Sequence, residues 1–186
     1  MKNFIVAPAP HAHGGDSVRK NMLLVILALV PAYVVSVVEF GWGAIITAAI
    51  SVCACVLTEW LISRFLLKEQ KQTIGDLSAV LTGLLLAFNL PSSIDWWIVL
   101  IGAVVAIGVA KMPFGGLGKN LFNPALAARI FLLIAYPVQM TSFPQPTING
   151  FADAYSGATP LGAAKGMLVN FADFDALGMF TGAMGG

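Results

Sequence analysis

The sequence predicts an all-α membrane protein with about five transmembrane or half-spanning helices joined by loops that break the helices. Hydrophobic residues make up 58% of the 186 residues and charged residues only 10%, whereas soluble domains carry about 25% charged residues. The mean hydropathy is +0.86. Apolar stretches long enough for a bilayer core about 30 Å thick alternate with short polar connections. This composition argues against a soluble enzyme, and a net charge of +1 gives no electrostatic basis for binding nucleic acid.

The polar residues 1–20 are predicted to be a cytoplasmic lead-in, because no cleavage pattern follows the first apolar stretch. The two histidines in this segment, His11 and His13, indicate neither a metal site nor a catalytic pair. The transmembrane helical domain is predicted over residues 21–138. Its five helices are expected at about 22–40, 44–67, 74–90, 96–110 and 124–136.

Local signals mark the ends of these helices. Residues 41–43 predict a tight turn after the first helix, with Trp42 as an anchor at the membrane interface. The fourth helix is expected to start with the aromatic pair Trp96 and Trp97. Thr73–Asp76 has the spacing of a capping box for the third helix. Asn123 followed by Pro124 is the expected start of the fifth helix, since Asn caps helix N-termini and Pro favours the first helical position.

The lysines and arginines predict the orientation, because cytoplasmic loops carry the excess of basic residues. Basic residues precede the first helix and lie in the second and fourth connections, whereas the first and third connections have none. These residues are Lys2, Arg19, Lys20, Arg64, Lys68, Lys71, Lys111 and Lys119. We therefore expect a cytoplasmic N-terminus, and five crossings place residues 139–186 on the outer face.

Charged residues within the apolar stretches are few. Glu59 and Arg129 are each expected to face protein or water, because a charge in hydrocarbon costs at least about 2.5–3.5 kcal/mol. Structural pairing, an interface position and a contribution to a cation path all remain open for them. Asp76 is predicted to cap a helix rather than to bind an ion. Cys53 and Cys55 point to nearly opposite sides of one helix, which favours apolar packing over a disulfide or a metal clip.

The predicted outer segment contains a motif that resembles a site of covalent modification. Thr159 lies among small residues, so its hydroxyl can enter the active site of another enzyme. Together with Asp153, Ser156, Gly157 and Ala158 it resembles the flavinylation motif of membrane respiratory flavoproteins. In that motif a flavin transferase moves FMN from FAD onto the threonine hydroxyl as a phosphodiester.

Three other segments resemble the same family, at residues 10–20, 75–87 and 114–125. The chain is thereby similar, over residues 5–186, to the RnfD/NqrB family of flavin-carrying membrane subunits. Members of that family are nearly twice this length and have about ten helices in two related halves. The resemblance therefore implies that this chain represents the first, N-terminal half of a two-repeat bundle.

The resemblance also implies two cofactors. FMN would be held covalently by Thr159, and a second, non-covalent flavin (riboflavin) would lie near the glycine-rich loop beside Asn120 and Asn123. An alternative interpretation remains open, in which Asn123 is only a helix cap and Asn120 only a polar loop residue. The resemblance assigns no catalytic residue and no metal ligand.

The implied function is that of a membrane electron-transfer component of a translocase, not active alone, in a bacterial inner membrane. The complex would move Na⁺ or H⁺ while passing electrons between ferredoxin and NAD, which would bind other membrane and peripheral subunits. The flavin transferase would be a further partner during maturation. The alternatives are a quinone-reducing NqrB-type subunit, a small-solute transporter or channel without flavin, and a structural subunit with a vestigial flavin site.

Overall fold

The computed structural model describes residues 17–66, 73–142, 144, 165 and 177. All of its described elements are helices, which confirms the predicted all-α class. The α-helices are α1 (Val18–Phe40), α2 (Trp42–Leu61), α3 (Ser78–Phe88), α4 (Trp96–Val104), α5 (Pro124–Ala135) and α6 (Pro137–Thr141). Wider π-helical turns continue α2 over Ile62–Leu66 and α4 over Val105–Val109, and tighter 3-10 turns occupy Thr73–Asp76 and Met112–Phe114.

The described helices differ in length. Within the residues that the structure describes, three continuous helical stretches are long and apolar enough to cross a membrane, namely Val18–Phe40, Trp42–Leu66 and Trp96–Phe114. Helices α3 and α5 are also apolar but have only 11 and 12 residues. At about 1.5 Å per residue they extend about 16–18 Å, which is shorter than a bilayer core about 30 Å thick.

The core lies between α2, α3, the α4 stretch (Trp96–Phe114) and α5, and its fully buried side chains include Leu86, Ile98, Ile107 and Leu132. Helices α2 and α3 approach most closely at Gly83, where a Cβ atom would lie only 2.7 Å from the Cα atom of Val52. The hydroxyl of Ser51 donates to the carbonyl oxygen of Gly83 at 2.7 Å across the same contact. Helix α1 contributes no buried residue and lies at the edge of the bundle.

Three helix starts differ from the predicted positions, and α2 begins at Trp42, two residues earlier than predicted and within the segment expected to form the turn. Helix α1 begins at Val18, four residues earlier, because Ser17 accepts the backbone N–H of Lys20 at 3.2 Å and caps the helix. Helix α3 begins at Ser78, four residues later, because Leu77 takes a left-handed conformation with φ of 64°. The backbone of Leu77 therefore separates the 3-10 turn from the helix. The capping box predicted at Thr73–Asp76 does not start α3, because these residues form the 3-10 turn and the residue before α3 is Leu77. The carboxylate of Asp76 still accepts the N–H of Ser78 at 2.8 Å, next to the start of the helix.

Candidate functional site

The flavinylation motif falls outside the described residues. Asp153, Ser156, Gly157, Ala158 and Thr159 all belong to that part of the chain, and their roles stay predictions. The described part of the chain contains three other features that the sequence singled out or that the fold creates. These are the glycine-rich loop with Asn120 and Asn123, a buried ion pair, and a cavity beside Arg129.

The glycine-rich loop is built from left-handed backbone. Gly115, Gly116 and Gly118 have φ angles of 96°, 82° and 83°, a region in which side chains with a Cβ atom are strained. The loop folds back on the residue that precedes it, since the N–H of Gly116 donates to the carbonyl of Lys111 at 3.3 Å. The N–H of Lys119 in turn donates to the carbonyl of Gly116 at 3.2 Å. The glycines therefore give the loop a closed shape.

The two asparagines each have one structural role in this loop. With its carboxamide nitrogen as donor, Asn120 bonds the carbonyl of Gly116 at 2.8 Å and that of Lys111 at 3.2 Å. Asn123 caps α5, where its Oδ1 atom accepts the N–H of Ala125 at 3.0 Å. These bonds leave the carboxamide oxygen of Asn120 and the carboxamide nitrogen of Asn123 available to bind a ligand. The oxygen can accept from an N–H group on the edge of a flavin ring, and the nitrogen can donate to one of its carbonyl groups.

A buried ion pair lies next to the loop, and the sequence did not predict it. The Lys111 ammonium group donates to the Glu59 carboxylate at 2.5 Å and to the hydroxyl of Ser78 at 2.6 Å. Lys111 is 2% exposed and Glu59 is 0% exposed. This geometry favours structural pairing among the interpretations that were open for Glu59. The sequence did contain one indication of this pair, since Glu59 and Lys111 both fall near the predicted cytoplasmic ends of their apolar stretches.

Lys111 therefore does not have the surroundings expected of a basic residue in a cytoplasmic loop. The predicted orientation places it in such a loop, but the structure buries it inside the helix bundle. A buried ammonium group paired with a carboxylate does not interact with the membrane surface. Of the two basic residues in this connection, only Lys119 is exposed and supports the predicted orientation.

Arg129 lies on α5 at the other end of α3. Its guanidinium nitrogen Nη1 donates to the carbonyl oxygen of Asn89, which follows the last residue of α3. The side-chain nitrogen of Asn89 donates to the carbonyl of Leu85 at 2.7 Å. Arg129 also lines a cavity of about 210 Å³. Arg129 thus binds a helix C-terminus, where unpaired carbonyl groups favour a cation.

Comparison with known proteins assigns the family. The model of the NQR2, RnfD, RnfE family matches residues 5–186. The chain belongs to this family. This membership confirms the resemblance that residues 75–87 and 114–125 suggested. The structure places these two family segments together, because Ser78 of the first binds the ammonium group of Lys111, three residues before the second.

Individual relatives agree with the family assignment. The chain is 45% identical over 163 residues to a subunit of the Na(+)-translocating ferredoxin:NAD(+) oxidoreductase complex of Acetobacterium woodii, covering 88% of this chain and 50% of the relative. It is 40% identical over 169 residues to a subunit of the ion-translocating oxidoreductase complex of Shigella boydii serotype 18, covering 86% and 48%. The equivalent protein of Escherichia coli (strain K12 / DH10B) is 40% identical over 168 residues, covering 86% and 48%. The chain spans about half the length of the curated relatives it matches.

Proposed function

We propose that this chain belongs to the RnfD component of an Rnf-type ion-translocating oxidoreductase complex in a bacterial inner membrane. The observation that carries the proposal is the 40–45% identity to subunits of such complexes over 86–88% of this chain. The complex couples electron flow between ferredoxin and NAD to movement of Na⁺ or H⁺. The protein acts together with other membrane and peripheral subunits, and it is not active alone.

The protein carries FMN covalently on Thr159 in this proposal. The support is the motif formed by Asp153, Ser156, Gly157, Ala158 and Thr159, which a flavin transferase reads during maturation. The orientation predicted from basic residues places this motif on the outer face, beyond a cytoplasmic N-terminus. When bound, the flavin supplies the electron-transfer chemistry, and the protein sets its position and potential.

A second, non-covalent flavin is proposed at the glycine-rich loop. It is supported by the remaining donor of Asn123 and the remaining acceptor of Asn120, which face no other assigned partner among the described residues. Irregular backbone at membrane depth is tolerated where it lines protein or a polar cavity. The three left-handed glycines fit this requirement, because they let the backbone turn without side chains of their own.

In-gel flavin fluorescence tests the covalent site. The full-length protein is expressed with a flavin transferase, denatured, and illuminated with ultraviolet light after electrophoresis. We expect a fluorescent band that disappears in Thr159→Ala and persists in Thr141→Ala, a matched control on the exposed end of α6. A dark band for the unaltered protein, or fluorescence that persists in Thr159→Ala, would contradict covalent attachment at this residue.

A quinone-reducing NqrB-type function is the second candidate, because the matching family model also covers NQR2 proteins. The two candidates differ in the acceptor of the assembled complex. We expect complexes containing this protein to reduce NAD with electrons from ferredoxin. Reduction of a quinone by NADH, without any reaction of ferredoxin, would instead support the NqrB-type function. A transporter without flavin would show neither activity.

A further inference from the structure

The cavity beside Arg129 lies at the end of the bundle opposite the Glu59–Lys111 pair. Thr47 lines the cavity and Glu59 holds the ion pair. Both residues are on α2, twelve positions apart, which corresponds to about 18 Å along the helix axis. The cavity is therefore separate from the glycine-rich loop and from Asn120 and Asn123.

The charge of Arg129 has no acidic partner in the described part of the molecule. No Asp or Glu residue lines the cavity, and among the described residues the ion pair that the structure shows is the one between Lys111 and Glu59. A single guanidinium N–H group is bonded to the carbonyl oxygen of Asn89. An unpaired cation is costly at membrane depth. The remaining N–H groups thus favour an anion that comes from outside these residues.

The other lining groups indicate which anion fits. Three residues that carry hydroxyl groups, Ser36, Thr47 and Ser92, line the same cavity as Arg129. Hydroxyls and arginine are side chains that commonly bind phosphate oxygens. The rings of Tyr33 and Phe88, with centroids 6.2 Å apart, form an apolar wall. A phosphate group with an organic substituent matches both the polar and the apolar side.

We propose that this cavity binds a phosphodiester, with Arg129 as the cation that pairs with it. Two sources share this chemistry: the head group of a phospholipid, and the phosphodiester through which Thr159 carries FMN. The second source rests on the proposed function. Pro144 also lines the cavity and precedes Thr159 by 15 residues. An extended chain of that length reaches about 50 Å, so the linkage lies within reach.

The lipid source is tested in full-length Thr159→Ala protein, which has no covalent flavin. The protein is purified in phosphatidylglycerol or in monogalactosyldiacylglycerol, which lacks phosphate, and the retained lipid is counted by native mass spectrometry. If a lipid occupies the cavity, phosphatidylglycerol is retained and the galactolipid is not. Arg129→Gln then lowers retention at least fivefold, whereas Arg64→Gln, which alters an exposed arginine, leaves it unchanged.

The flavin source is tested by quenching of covalent FMN fluorescence with acrylamide in the flavinylated full-length protein. If the FMN linkage occupies the cavity, Arg129→Gln raises the quenching constant at least threefold while the covalent FMN content stays the same. Arg129→Lys and Arg64→Gln remain close to the unaltered protein. Thr47→Ala, which removes one lining hydroxyl, raises the constant about twofold and serves if Arg129→Gln does not fold.

Each result decides the proposal. Unchanged lipid retention together with unchanged quenching, in Arg129→Gln or in Thr47→Ala, overturns the phosphodiester site. A carboxylate from the rest of the full-length protein that pairs with Arg129 would produce this pattern. A dark gel band for the unaltered protein refutes the proposed flavin on Thr159, but the lipid measurement still tests the cavity.

Discussion

The ammonium group of Lys111 and the carboxylate of Glu59 lie 2.5 Å apart although 52 positions separate the two residues in the sequence. The hydroxyl of Ser78 accepts a second bond from the same ammonium group. Three segments meet at this point: the end of α2, the start of α3 and the last part of the α4 stretch, which contains Lys111. The two bonds of the Lys111 ammonium group therefore join these three segments at one end of the bundle, next to the glycine-rich loop.

Lys111→Met is expected to destabilise the protein by about 3–5 kcal/mol, because it removes the ammonium group that pairs with the buried carboxylate of Glu59. Thermal unfolding of the purified full-length protein in detergent, followed by tryptophan fluorescence, measures the effect. The double variant Lys111→Met, Glu59→Gln should recover most of the loss, since it removes both charges. Equal unfolding temperatures for the single variant and the unaltered protein would show that the pair does not stabilise the bundle.

Gly83→Ala is expected to destabilise the protein by about 1–3 kcal/mol through overpacking. The added Cβ atom would meet backbone atoms, at 2.7 Å from the Cα of Val52 and 3.0 Å from the carbonyl oxygen of Ser51, so α2 and α3 must move apart. Gly75→Ala is the matched control, because no atom lies within 4 Å of its Cβ position. The same unfolding assay compares them, and a cost as large for Gly75→Ala would contradict the close contact.

Comparing Asn123→Ala with Asn123→Asp distinguishes the role of Asn123 as a helix cap from its proposed contact with the second flavin. Alanine removes the acceptor for the N–H of Ala125 and should cost about 1 kcal/mol of stability. Aspartate keeps a cap oxygen but loses the amide donor. We therefore expect Asn123→Asp to keep the unfolding temperature yet to lower the riboflavin released on denaturation, as measured by chromatography. Full riboflavin content in Asn123→Asp would remove this residue from the second flavin site.

Reporter fusions test the predicted orientation. A green fluorescent protein joined after Lys71 should fluoresce, because that connection is expected in the cytoplasm. An alkaline phosphatase joined after Ser93 should be active, because that connection is expected on the outer face. The reciprocal fusions serve as controls and should be inactive. The opposite pattern would invert the orientation and place Thr159 in the cytoplasm.

Much of the helical architecture follows from local sequence. Apolar stretches of sufficient length predict membrane helices, and Asn123-Pro124 predicts the start of α5, where the structure shows the expected cap. These features depend on residues within one helical turn or on one continuous stretch, so the chain determines them without reference to distant segments. The family segments at 75–87 and 114–125 are likewise contiguous, which is why the family could be named from the sequence.

The tertiary structure alone decided which distant residues meet. The sequence indicated that Glu59 needs protein or water around it, but only the packing of α2 against the α4 stretch supplied Lys111 as its partner. Likewise the contact of Ser51 with Gly83 requires two helices to approach closely. Periodicity and capping act over a few residues, whereas these contacts depend on how whole helices pack. Local patterns therefore determined the helices, and burial determined the role of the charges between them.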